Sequence, residues 1–155
     1  MADVRPQSAL NNEKKKKLQP KFDKIKAKVD AAKEKAQDEF KKGLYAEAVQ
    51  LYKNAAEILE IALEDFGVFK KEIAQMEAAI FGNIAFCYGK DQHDRMQVEF
   101  CTKVIDRSLY IEDVNMLIKA YLRRGCSYEA LEKYKLAVND LTRVRELQPM
   151  NKRAQ

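Results

Sequence analysis

Residues 48 to 66 carry an unbroken apolar stripe: Ala48, Leu51, Tyr52, Ala55, Ile58, Leu59, Ala62, Leu63 and Phe66. Steps of three and four residues place these side chains on one face of a helix and fit no strand alternation. Gly67 ends the pattern, so a helix of about 20 residues is predicted, stopped by a residue suited to a C-terminal turn. A helix that is apolar along one face needs other helices to cover that face.

Its neighbours show the same period. Before it, Phe22, Ile25, Val29, Ala32, Ala36 and Phe40 predict a helix starting at Pro20 and stopped by Gly43. After it come a third helix from about Phe69 to Tyr88 and a fourth carrying Val98, Cys101, Val104 and Ile105. A fifth runs from about Glu112 to Glu129, and a sixth from near Tyr134 to Leu147, before Pro149. With 5 glycines and 3 prolines in 155 residues, turn material is scarce, and the expected fold is all-α, built of three antiparallel hairpins.

The hairpins read as copies of one unit. The first places Ala36, Gly43, Tyr45, Ala48, Tyr52 and Ala55 at offsets that the third repeats as Gly125, Glu132, Tyr134, Ala137, Leu141 and Val144, followed by Pro149. The second repeats them as Ala85, Gln92, Asp94, Gln97, Cys101 and Val104, with Gln97 where the others have alanine. Small residues let the two helices of a hairpin approach closely, and the aromatics fill the space between them.

This pattern resembles the tetratricopeptide repeat, in which small residues, an aromatic and a closing proline recur over about 34 residues. The resemblance covers roughly residues 29 to 151, with repeats near 29–62, 78–111 and 118–151 in a single domain spanning 20–151. It implies three hairpins stacked as a right-handed superhelical array. Ala36 to Ala85 is 49 residues and Ala85 to Gly125 is 40, so helices are lengthened between the first and second repeats. Similar lengthening occurs in immunophilin co-chaperones, whose second repeat "GNIAFCYGK" also resembles.

In the carboxylate-clamp subset of this family, the first helix of each repeat grips the acidic Glu-Glu-Val-Asp tail of cytosolic heat-shock chaperones of the seventy or ninety kilodalton class. Carried over by position, the resemblance implies Lys33 and Gln37 in the first repeat, Asn83 in the second, and Lys119 with Arg123 in the third. Gln37 departs from the family's asparagine by one methylene, which displaces its amide by more than about 1 Å. Lys119 and Arg123 stand four residues apart on one helix face, where like charges repel by about 0.2–0.5 kcal/mol unless an anion joins them. Asn83 sits between Phe81 and Ile84 in an apolar helix, where asparagine is a poor choice without a partner. Phe40, Ile80 and Phe81 are weaker candidates for groove walls. The reading is an adaptor, not an enzyme, with a scaffold for an unrelated peptide as the alternative.

Charge concentrates at the start. Residues 1 to 35 hold 11 Lys and Arg against 5 Asp and Glu, and the remainder is near neutral. Residues 1–19, ending in "NNEKKKKLQ", lack an apolar face and are expected to form a mobile basic arm. Adhesion to nucleic acid or anionic membrane is disfavoured: a basic run is usually a solvated tail, and for nucleic acid no aromatics for base stacking interleave the lysines. With a single histidine, His93, no metal site or catalytic triad is expected, and no phosphate-binding glycine loop implies a cofactor. Three cysteines without a Cys-x-x-Cys pair, and no signal or spanning segment, suggest the cytoplasm. No seventh helix is evident, so the last apolar face is left for the arm or a second subunit to cover.

Overall fold

The computed structural model describes residues 4–154, with side chains to residue 149. Six helices form three hairpins: α1 (Gln7–Lys41) with α2 (Tyr45–Asp65), α3 (Lys70–Lys90) with α4 (Asp94–Ile105), and α5 (Val114–Ala130) with α6 (Tyr134–Ala154). Single 3-10 turns, Gly67–Phe69 and Ser108–Tyr110, connect one hairpin to the next, and no strand occurs among the described residues. Each helix packs on its successor, and α3 also touches α5. The architecture is the all-α, tetratricopeptide-like array expected from the repeats.

The three hairpin turns share one backbone design. Gly43, Gln92 and Glu132, the positions aligned by sequence, have φ of 78°, 57° and 60°. In each, the next residue's N–H reaches back five residues to a helical carbonyl: Leu44 to Glu39, His93 to Tyr88 and Lys133 to Tyr128, at 3.0, 2.9 and 2.8 Å. That bond satisfies a carbonyl orphaned by the helix end, and it requires the left-handed residue before it. Only Gly43 adopts this conformation free of a Cβ penalty.

Buried alanines lie where the helices meet: Ala36, Ala48 and Ala55 in the first hairpin, Ala85 in the second and Ala137 in the third. Gln97 is accommodated by Gly89, since a Cβ there would lie 2.3 Å from the Gln97 amide nitrogen. That nitrogen donates to the Ala85 carbonyl at 3.1 Å, and the Ser127 hydroxyl donates to the Gln97 amide oxygen at 2.7 Å. The one non-alanine at this position therefore ties α4 to both α3 and α5.

The lengthened part has a core of its own. Phe22 stacks on Phe69 with ring centroids 4.1 Å apart and planes within 7°, and Phe66 lies 5.9 Å from Phe22. Two expectations about the ends are corrected. The arm to residue 19 is helical from Gln7, and α1 runs straight through Pro20. Proline in a helix interior removes a hydrogen bond and costs about 3 kcal/mol. Tertiary contacts on its N-terminal side offset this: Leu18 packs against the core, and the Lys15 ammonium lies 3.2 Å from Glu72 and 5.8 Å from the Phe69 centroid. Likewise α6 continues past Pro149 to Ala154. The N-terminal segment packs beside Phe69 and Glu72, its helix contacting chiefly α2 and the Gly67–Phe69 turn, while on the last hairpin Tyr134, Leu136 and Val138 stay exposed.

Candidate functional site

The first helix of each hairpin contributes to a pair of clefts that share one residue. One, of about 210 Å³, is lined by Ala79, Gly82, Asn83, Met116, Lys119 and Arg123, among others. The other, of about 380 Å³, is lined by Asp30, Lys33, Glu34, Gln37, Tyr52 and Asn83. All five polar residues singled out by sequence thus border these clefts, and Asn83 belongs to both.

Helix periodicity explains the grouping. On α3, residues 79, 82, 83, 86 and 90 recur at three- and four-residue steps and form the stripe left uncovered by α2 and α4. Ala79 and Gly82 put no more than a methyl group on that stripe beside Asn83. On α5, Lys119 and Arg123 repeat at four residues, with Ala120 buried beneath them.

The clefts differ electrically. Around Lys119 and Arg123 the one carboxylate lining the wall is Asp113, and its side chain is engaged as the N-cap of α5, accepting from the Asn115 N–H at 3.0 Å. Arg123 is half-buried and has no carboxylate partner among the described residues. Burial lowers its pKa from the usual value, and the Cys101 thiol nearby opposes that shift. A guanidinium stays charged under such a shift, so the site holds a desolvated positive charge. The Lys33 cleft instead carries Asp30 and Glu34 beside its lysine. Tyr52 on its wall has a pKa raised by burial and then by Cys87, which keeps its hydroxyl neutral and able to donate.

The apolar candidates fare differently. Ile80 is 0% exposed and Phe81 is buried against Phe100, 5.9 Å between centroids. Neither lines either of these two clefts, which corrects their reading as groove walls: α3 is covered on two sides, so most of its apolar residues face the core. Phe40 is partly buried and contacts Tyr45 and Phe86 at 5.3 and 5.4 Å. Phe86 was not anticipated. It is 38% exposed, and its ring lies 4.9 Å from the Arg123 guanidinium carbon. Its place three residues after Asn83 was the signal that could have marked it.

Arg124 takes no part in the clefts. It makes two hydrogen bonds to Asp140, at 2.8 and 2.7 Å, and a third to Thr102 at 3.2 Å. Adjacent arginines in "KAYLRR" therefore serve opposite ends, one joining helices and one facing the groove.

No protein-family model matches the chain. It is similar to the mitochondrial import receptor subunit TOM34 of Homo sapiens, 32% identical over 110 residues, which is 71% of this chain and 31% of that protein. It is also similar to peptidyl-prolyl cis-trans isomerase FKBP4 of Mus musculus, 30% identical over 122 residues, 79% of this chain and 25% of that protein. The likeness is to a segment of each. The chain spans less than a third of the length of either relative. Among the described residues no group of His, Cys, Asp and Glu could hold a metal ion, and no helix is long and apolar enough to cross a membrane.

Proposed function

We propose that the chain is a tetratricopeptide-type adaptor whose groove holds the acidic C-terminal tail of a cytosolic heat-shock chaperone of the seventy or ninety kilodalton class. The observation that carries this reading is the convergence of Asn83, Lys119 and Arg123 on one cleft, with Asn83 shared by the cleft of Lys33 and Gln37. Lys119 and Arg123 supply charge to acidic groups of the peptide, and Asn83 and Gln37 supply directional hydrogen bonds. The similarity to TOM34 and FKBP4 supports the repeat assignment. Cys101, the one thiol on either cleft wall, has its pKa pushed up to about 12 by burial and stays protonated, so it offers the groove no thiolate nucleophile.

A second reading has its own support. Asp30 and Glu34 beside Lys33 offset its charge, so that half of the groove also suits a peptide presenting an amide or a cation. Fluorescence titration with a Glu-Glu-Val-Asp-ending peptide and its C-terminally amidated copy separates the two. Tight binding lost on amidation supports the clamp. Weak binding indifferent to amidation supports a scaffold for another peptide.

A further inference from the structure

We propose that Phe86 is a positioning residue: its ring holds the Arg123 guanidinium in place and so sets the groove's affinity for an acidic peptide. The proposal rests on the peptide-groove reading and adds a residue to it.

Three observations converge on this ring. First, Phe86 is 38% exposed on the groove stripe of α3, one turn from Asn83, although the same helix buries Phe81. Second, the Arg123 guanidinium carbon lies 4.9 Å from its centroid, and the Lys90 ammonium lies 5.3 Å from it. Third, the ring touches Phe40 of α1 at 5.4 Å, so it is braced by the first hairpin while it contacts the third.

The physical consequence follows from what Arg123 lacks. Arg124 next to it is neutralised by Asp140, whereas Arg123 has an aromatic ring where a carboxylate would stand. The negative face of the ring attracts a cation without cancelling its charge. The guanidinium is thus oriented before the ligand arrives and remains available to a carboxylate. Ordering it in advance removes part of the entropy cost that a long side chain incurs on binding. Lys90 on the same ring adds a second cation, which fits a ligand carrying more than one acidic side chain.

The experiment titrates the acidic tail peptide into wild type, Phe86→Leu, Phe86→Tyr, Arg123→Ala and the Phe86→Leu/Arg123→Ala double variant. Phe86→Leu should raise Kd about 3- to 30-fold, the factor that a partly desolvated cation–π contact is worth. Phe86→Tyr, which keeps the ring, should stay within about twofold. In the Arg123→Ala background, replacing Phe86 should change Kd by less than about twofold, because residues acting through one another are non-additive. Proton NMR of the Arg123 side chain reads the contact in the free protein, as ring-current shifts present in wild type and lost in Phe86→Leu. Equal losses in both backgrounds, or an Arg123 spectrum indifferent to Phe86, overturn the proposal and leave the groove reading intact. A wild type that ignores the peptide overturns the groove reading itself.

Discussion

Arg124 on α5 and Asp140 on α6 form a bidentate pair, with both side chains largely buried and bonds of 2.8 and 2.7 Å. The Asp140 hydrogen bond is the leading cause of a raised Arg124 pKa. Removing one partner of such a pair strands a buried charge and costs about 3–5 kcal/mol. Asp140→Ala should therefore lower stability by about that amount in chemical denaturation, with Arg124→Ala similar. A loss under about 1 kcal/mol would show the pair to be solvent-screened.

Arg123→Ala and Lys119→Ala should do the reverse. Each should weaken acidic-peptide binding by about 1.5–3 kcal/mol, the range for hydrogen bonds to charged groups. Stability should change by less than about 0.5 kcal/mol at Lys119, as for surface substitutions, and by no more than about 0.5–2 kcal/mol at Arg123, the worth of its cation–π contact with Phe86. Parallel calorimetric binding and melting curves check both halves. A stability loss at Arg123 equal to that at Arg124 would contradict the division of labour.

Gln97→Ala restores the alanine found in the other two hairpins and should nonetheless destabilise. It leaves the Ser127 hydroxyl, 1% exposed, without its acceptor. A stranded buried polar group costs about 1–3 kcal/mol. Adding Ser127→Ala should recover part of the loss, which denaturant titration of both variants will measure.

The hairpin turns predict gains. Left-handed backbone costs a non-glycine residue about 1–2 kcal/mol, and glycine's extra unfolded-state entropy returns about 0.5–1. Gln92→Gly and Glu132→Gly should each stabilise by about 0.5–1 kcal/mol, while Gly43→Ala destabilises by about 1. Thermal midpoints should move in those opposite directions.

Burial pushes the Cys87 and Cys101 thiols up to about 11 and 12, whereas Cys126 is exposed. A native protein at neutral pH should react at Cys126 alone with a thiol reagent, and at all three after unfolding. Because the native state holds these two protons more tightly, stability should fall as pH rises from about 9 through 11–12. Mass spectrometry of labelled protein and melting curves across that range provide the checks.

Much of this fold was legible in the chain. Apolar steps of three and four marked six helices, and the offsets from Ala36, Ala85 and Gly125 marked three equivalent turns. The same periodicity placed Lys119 and Arg123 on one face, and the repeat alignment brought in Lys33, Gln37 and Asn83. Less legible was α3. Lying between α2 and α4, it is apolar nearly all round, so Ile80 and Phe81 resembled groove residues as much as Phe86 did.

Helix formation depends on residues within a turn or two, and the sequence by itself determined that level: which segments coil, where they stop, and which side chains share a face. Tertiary structure decided what each face meets. It carried α1 through Pro20 by docking Lys15 and Leu18 beside Glu72 and Phe69, and it joined Arg124 to Asp140 across a hairpin. It also gave Gln97 its partners and set the Phe86 ring beside Arg123. Each of these depends on how closely neighbouring helices approach and at what angle, and that geometry is set by side chains far apart in the chain.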